Sequence, residues 1–288
     1  MNFKHLLLLI ATILLALSCS KTQEVQLKPL VVVSIPPQKY FVQKIAGDLV
    51  EVEVMIPAGS SPHAYEPKPV QMAKLDRARI YFSIGVEFEK AWLGRLTKTA
   101  RHILIVPTDS GIKKPELADG HDEQKGHTHG GPDPHIWLSP ELVKRQAATM
   151  EKTLSTVFPE HAAAFRSNDS LFMIEIAALQ DSIRAILQSR QQRPFLVFHP
   201  SWGCFAAEFN LKQMAIEVKG NEPSPADLRT IIDFARRNRI TAIYAQPQFS
   251  RRGADIIARE IGARVFIADP LSEVWEANLI ACARALAD

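Results

Sequence analysis

No strong charge of either sign marks this chain. Its 34 lysines and arginines nearly balance 31 aspartates and glutamates, for a net charge of +3. That excess is too small for a nucleic-acid surface. Cysteine is scarce: Cys19, Cys204 and Cys282 are all there is, and no two of them form a C-x-x-C pair. Neither a thiolate metal cage nor a disulfide framework can be built from them. One disulfide between Cys204 and Cys282, or two small buried hydrophobes, both remain open. No H-E-x-x-H or other hydrolase motif is present. Beyond the first residues nothing is long and apolar enough to span a bilayer. Glycine is missing altogether from Pro140 to Gln191, where the pattern is helical.

The start reads Met1-Asn2-Phe3-Lys4-His5, then an apolar run from Leu6 to Leu17, then Ser18-Cys19. A short basic region, an apolar stretch and a small residue make a signal peptide over 1–18. Ala16-Leu17-Ser18-Cys19 resembles a bacterial lipobox, so Cys19 is expected to carry lipid. Residues 19–28 then form a tether. The mature protein would be exported to the periplasm or cell surface and lipid-anchored to a membrane.

From Leu30 onward short apolar runs alternate with helical patterns, as in Leu30–Ser34, Val52–Ile56, Arg79–Ser83 and Ile103–Val106. Continuous apolar strands separated by helices imply a mainly parallel sheet covered on both faces. The alternation resumes at Phe195–Phe198, Gln213–Ile216, Ile240–Ala245 and Ala263–Ala268. Between the two sets lies one long helical stretch from Pro159, roughly 45 Å at 1.5 Å per residue. The expected fold class is α/β. It has two lobes, each a roughly four-stranded parallel sheet with flanking helices, joined by one long linking helix. The expected boundaries are 29–158, 159–191 for the linking helix, and 192–288.

Metal-competent side chains sit where such sheets bind ligands, beyond the carboxyl ends of strands. His63 follows the second strand and His135 the fourth. His199 ends the fifth, and Asp269 follows the eighth. Two belong to each lobe, so a metal would sit between lobes. Four of the nine histidines fall within residues 121–135. His121, His127 and His129 lie in a glycine- and proline-bearing loop that could bind metal more weakly, or do nothing.

The motifs then resemble one family, the metal-binding solute receptors of zinc and manganese ABC transporters. Ser61-Pro62-His63-Ala64-Tyr65-Glu66-Pro67 and Asp133-Pro134-His135-Ile136-Trp137-Leu138 match its first two ligand loops. Phe198-His199-Pro200-Ser201-Trp202 resembles the third, and Ala268-Asp269-Pro270 the last. Asn221–Pro225 and Pro247–Ser250 match further segments. Gln246 stands where the family usually has a glutamate. The resemblance implies a non-enzymatic receptor that passes its ion to a membrane permease and acts as a monomer, without nucleic acid. Three histidines and one carboxylate favour zinc over manganese, which takes harder oxygen ligands. A manganese or iron receptor of the same family, or a zinc hydrolase, is the alternative. The N-terminal assignment is directly testable. Mass spectrometry of the mature N-terminus is expected to find a diacylglyceryl-modified Cys19, and an unmodified start elsewhere would exclude the anchor.

Overall fold

The computed structural model describes residues 27–100, 102–117, 131–190, 194–218 and 220–287. The signal segment, Cys19, most of the tether, and His121, His127 and His129 lie outside the described residues. Strands β1 (Leu30–Val33), β2 (Glu51–Val54), β3 (Ala78–Ser83) and β4 (Leu104–Pro107) form a parallel sheet in the order β2-β1-β3-β4. Strands β5 (Pro194–Val197), β6 (Lys212–Ala215), β7 (Ala242–Ala245) and β8 (Arg264–Ile267) repeat that order as β6-β5-β7-β8. Strands β1 and β7 lie inside their sheets and are buried at every residue. Strands β2, β4 and β8 lie at edges and are exposed at one or both ends, which explains their Glu, Pro and Arg positions.

Parallel neighbours need crossovers, and helices supply them. In the first lobe these are α1 (Pro36–Ala46), α2 (Pro69–Leu75) and α3 (Glu87–Thr99). Pro36-Pro37 does more than end β1: both prolines occupy the first turn of α1, where a missing N–H costs no hydrogen bond. The chain leaves β1 toward β2 on one side and leaves β3 toward β4 on the other. Loops therefore diverge at the carboxyl ends of the central strands, and the same holds at β5 and β7. The carboxyl ends carry the candidate ligands.

The connection between lobes begins with α4 (Pro140–Val157), capped by Ser139, whose Oγ accepts from Leu142 N at 3.2 Å. A short turn at Pro159–His161 leads into α5 (Ala162–Leu187), 26 residues long. This is the long linking helix that the glycine-free stretch implies. Phe165, Phe172, Ile176, Leu179, Ile183 and Leu187 make its buried stripe at helical spacing. It packs on α4 and α1 of the first lobe and on the C-terminal helix of the second.

The second lobe adds α6 (Gly203–Glu208), α7 (Pro225–Arg237), α8 (Arg252–Ile261) and α9 (Trp275–Ala287). Ser224 caps α7 in the capping box read from Ser224-Pro225-Ala226-Asp227. One continuous apolar core runs from β1 to α9 and so belongs to both lobes, while a second core fills the space between the second sheet and α7–α8. Trp275 closes the seam. Its ring meets Phe41 edge-on at 5.1 Å, and its Nε1 donates to Trp137 O at 2.7 Å. Trp137 Nε1 in turn donates to Pro270 O at 2.7 Å. Tyr40 donates to Glu276 at 2.6 Å across the same seam.

Cys204 and Cys282 are both buried and free, so of the two open readings the structure carries the small buried side chains. Burial, then the charge of Asp133, pushes the Cys204 thiol well above its usual range, which keeps it neutral.

If the lobes share one core, Trp275→Ala should weaken the whole molecule. The expected loss is about 3–5 kcal/mol, the range for truncating a buried tryptophan. Urea unfolding followed by circular dichroism should show one transition shifted to lower urea. Two separated transitions, or an unchanged midpoint, would mean the lobes are independent.

Candidate metal centre

The seam opens into a small cleft lined by Pro62, His63, Val86 and Glu87 from one side and His199, Gln248, Phe249, Pro270 and Leu271 from the other. Pro134, His135 and Trp137 complete its wall. Three of the four candidate ligands from the sequence therefore meet in one place. Each histidine arrives differently, but all three are held in the same way.

His63 lies in the loop after β2, which is tied to the start of α3 by Phe88 N donating to Pro62 O at 3.1 Å. Its Nδ1 is paired with Glu87, the first residue of α3. Glu89, two residues further, braces that helix start. Its carboxylate accepts from Ser34 Oγ at 2.5 Å, Ile84 N at 2.8 Å and Gly85 N at 2.7 Å. Burial outweighs these bonds and raises the Glu89 carboxyl above its usual range. His63 remains exposed at the rim of the cleft.

His135 is buried just before a tight turn at Ile136–Leu138. Asp133 Oδ1 accepts from both its backbone N, at 2.9 Å, and its Nδ1, at 2.7 Å. Asp133 is fully buried, and its own N donates to Pro115 O at 2.8 Å. Leu117 N donates to Gly131 O at 3.2 Å, and Glu116 bridges Pro132. The two ends of the histidine-rich loop are thus pinned together beside His135.

His199 is buried at the end of β5, with Nδ1 paired to Glu217 Oε1 at 2.8 Å. Gln246 grips its backbone from both sides. Its Oε1 accepts from His199 N at 3.1 Å, and its Nε2 donates to His199 O at 2.7 Å. Phe249 stacks on the His199 ring at 4.7 Å.

A carboxylate only accepts, so the Nδ1 facing each one carries the proton. In the neutral ring this leaves Nε2 as the nitrogen with a free lone pair, the form that ligates a metal. His63 Nε2 and His199 Nε2, from opposite lobes, stand 3.3 Å apart. Two Zn–N bonds of ~2.0–2.1 Å at the tetrahedral angle put their nitrogens about 3.3–3.4 Å apart. The His135 ring centroid is 5.6 Å from that of His199. Among the described residues no three histidine, cysteine, aspartate or glutamate side chains already enclose one point as a cage. The pair is at ligand spacing, and His135 shares its cleft.

Asp269, after β8, is not in the cleft lining, although Gln248, Pro270 and Leu271 are. Its Oδ1 accepts from Gln248 Nε2 at 2.7 Å and from Leu271 N at 2.9 Å. Glu87 and Glu217 are ring partners that the sequence does not single out. Neither sits near its histidine in the chain, and no local signal points to them. Asp133 stands two residues before His135 in the Asp133-Pro134-His135 motif, and its bond to the ring appears only in the folded chain.

The family described as zinc-uptake complex component A, periplasmic (ZnuA), matches residues 31–285. The zinc-binding lipoprotein AdcA of Streptococcus pneumoniae is 27% identical over 283 residues, covering 95% of this chain and 56% of that protein. The chain thus spans little more than half the length of that relative. The high-affinity zinc uptake system protein ZnuA of Bacillus subtilis is 26% identical over 253 residues, covering 84% and 78% of the two chains. A crystal structure of ZnuA superposes with a TM-score of 0.83 at 42% identity, covering 90% of this chain and 98% of that one. A ZnuA deletion mutant with zinc bound matches equally well, at 42% identity and TM-score 0.83, covering 90% and 97%.

The carboxylate behind His135 depends on a missing side chain. A Cβ on Gly203 would stand 2.5 Å from Asp133 Oδ2, an oxygen that is buried without a hydrogen-bond partner among the described residues. Gly203→Ala should push Asp133 off the His135 ring. Zinc affinity by calorimetric titration is expected to fall about 10–100-fold, the usual cost of losing such a partner. Unchanged affinity would show that Asp133 does not set the ring.

Proposed function

This chain belongs to the family of zinc-uptake complex component A proteins, and from that premise we propose that it captures zinc and delivers it to the permease of an ABC transporter. His63, His135 and His199 hold the ion through Nε2, with Asp269 as the fourth donor. The observation that carries this reading is the 3.3 Å separation of His63 Nε2 and His199 Nε2 across the seam, each ring backed by a carboxylate. Zinc is the cargo because three imidazole nitrogens favour it over manganese. The relatives named for zinc binding and zinc uptake support the same choice.

The receptor acts outside the cytoplasm, as the family description says of its members. Among the described residues no helix is long and apolar enough to cross a membrane. Cys19 would tether the protein by lipid, which agrees with the lipoprotein name of the pneumococcal relative. It works as a monomer and carries out no catalysis. The loop with His121, His127 and His129 serves as an auxiliary, weaker collecting site whose ends are fixed beside His135.

An ion that joins the lobes stabilises the fold, since an unfolded chain lacks the assembled site. At free zinc a thousandfold above the dissociation constant, the gain is about 4 kcal/mol. Thermal unfolding with zinc and with chelator should show the wild-type midpoint rising with zinc. His199→Ala should lose most of that rise, and Asp269→Ala less of it, because water can fill a fourth zinc position. Lowering the pH should abolish the rise, since protonated imidazole has no lone pair to offer. A chain with Gly120–Gly131 removed should keep the full rise and lose only weaker binding in calorimetry. A wild-type midpoint indifferent to zinc, or a full rise in His199→Ala, would exclude the site.

A further inference from the structure

The loop after β7 touches both donors of the second lobe. Gln246 grips the backbone of His199, and Phe249 stacks on its ring. Gln248, between them, lines the cleft and donates from Nε2 to Asp269 Oδ1 at 2.7 Å. Leu271 N donates to the same oxygen at 2.9 Å. Two N–H donors use the two lone pairs of that oxygen. The orientation of the Gln248 amide follows from charge, because turning it over would set Oε1 against the carboxylate. Oε1 is itself buried with no hydrogen-bond partner among the described residues. Such an orphan is costly, so the contact to Asp269 is kept at the expense of another bond.

We propose that Gln248 is a positioning residue that sets metal specificity. With Leu271 it occupies Oδ1 and restricts Asp269 to ligation through the single oxygen Oδ2. This rests on the reading of the three histidines and Asp269 as the ligands of the captured ion. Three nitrogens and one oxygen complete a four-coordinate shell, which zinc accepts. Manganese prefers more oxygens and a larger coordination number. A carboxylate free to turn could give both oxygens and move the site toward manganese. The Gln248 amide closes that route without touching the ion.

The test uses the mature full chain carrying Gln248→Leu. Gln248→Met, with a longer unbranched side chain, serves as a second variant should the first fold poorly. Cobalt(II) reports geometry, since a four-coordinate shell gives much stronger visible absorption than a higher one. Zinc and manganese affinities are measured by competition. Both variants are expected to weaken the cobalt bands and to lower the ratio of zinc to manganese affinity about 10–100-fold, the scale of an outer hydrogen bond on a ligand. Asp269→Ala in the same cobalt assay separates the two readings. A spectrum unchanged by Asp269→Ala overturns the ligand assignment and this proposal with it. A spectrum changed by Asp269→Ala, but left intact with its affinity ratio in the folded Gln248 variants, overturns this proposal alone.

Discussion

An imidazole gives its lone pair to a cation only from a ring nitrogen that carries no proton. In a cleft with several rings, the protons must therefore be held on the outward side. Here the holding is done by Glu87, Asp133 and Glu217, each against the Nδ1 of a different histidine. The carboxylates also orient the rings, since a ring with its Nδ1 fixed can only swing about that bond. The three are not equally rigid. Asp133 and Glu217 are buried with their histidines, while Glu87 and His63 stand at the exposed rim. The inner pair is set by the fold, and the outer ring is the one solvent can reach.

Ligand spacing across a seam has meaning only if the seam itself is fixed. A side chain in one lobe placed a few ångströms from one in the other lobe would be an accident if the lobes moved freely. The shared core argues against free movement. Trp275 lies against Phe41, donates to the backbone of Trp137, and Trp137 donates to Pro270. Trp137 is two residues from His135, and Pro270 follows Asp269. The contacts that weld the lobes are thus the immediate neighbours of the site, and separating the lobes would expose buried aromatic surface. Helix α5 adds a rigid rod that both lobes pack on, so the linker carries structure instead of slack.

How far this was legible in the sequence follows from where each signal is stored. Strand runs, the long glycine-free helix and the α7 cap are local, and the eight strands fall within a few residues of their expected places. The three histidines were legible because strand ends in parallel sheets face one edge, a rule of topology. Their carboxylate partners were not. Glu87 and Glu217 lie 24 and 18 residues from the histidines they hold, on other elements, and only the folded chain brings them near. Asp269 was placed after its strand, yet its bond to Gln248 depends on how two neighbouring loops turn, which no periodicity encodes. The cysteines make the same point in reverse: their spacing left a disulfide open, and burial in separate helices closed it.

The departure at Gln246 from the family's usual glutamate has a physical reading once the carboxylates are counted. Glu87, Asp133, Glu217 and Asp269 already gather formal negative charge around or behind the cleft. A divalent cation answers part of it. A further ionised carboxylate at position 246, which is almost fully buried, would add a charge with no cation of its own. Geometry points the same way. Position 246 must accept from His199 N and also donate to His199 O and to Ser201 Oγ, which lies 3.2 Å away. An amide does both at once, whereas a carboxylate can only accept. In this arrangement of the His199 loop, glutamine fixes the backbone of the inner histidine without adding formal charge, and a glutamate in its place would need either a proton or a different loop.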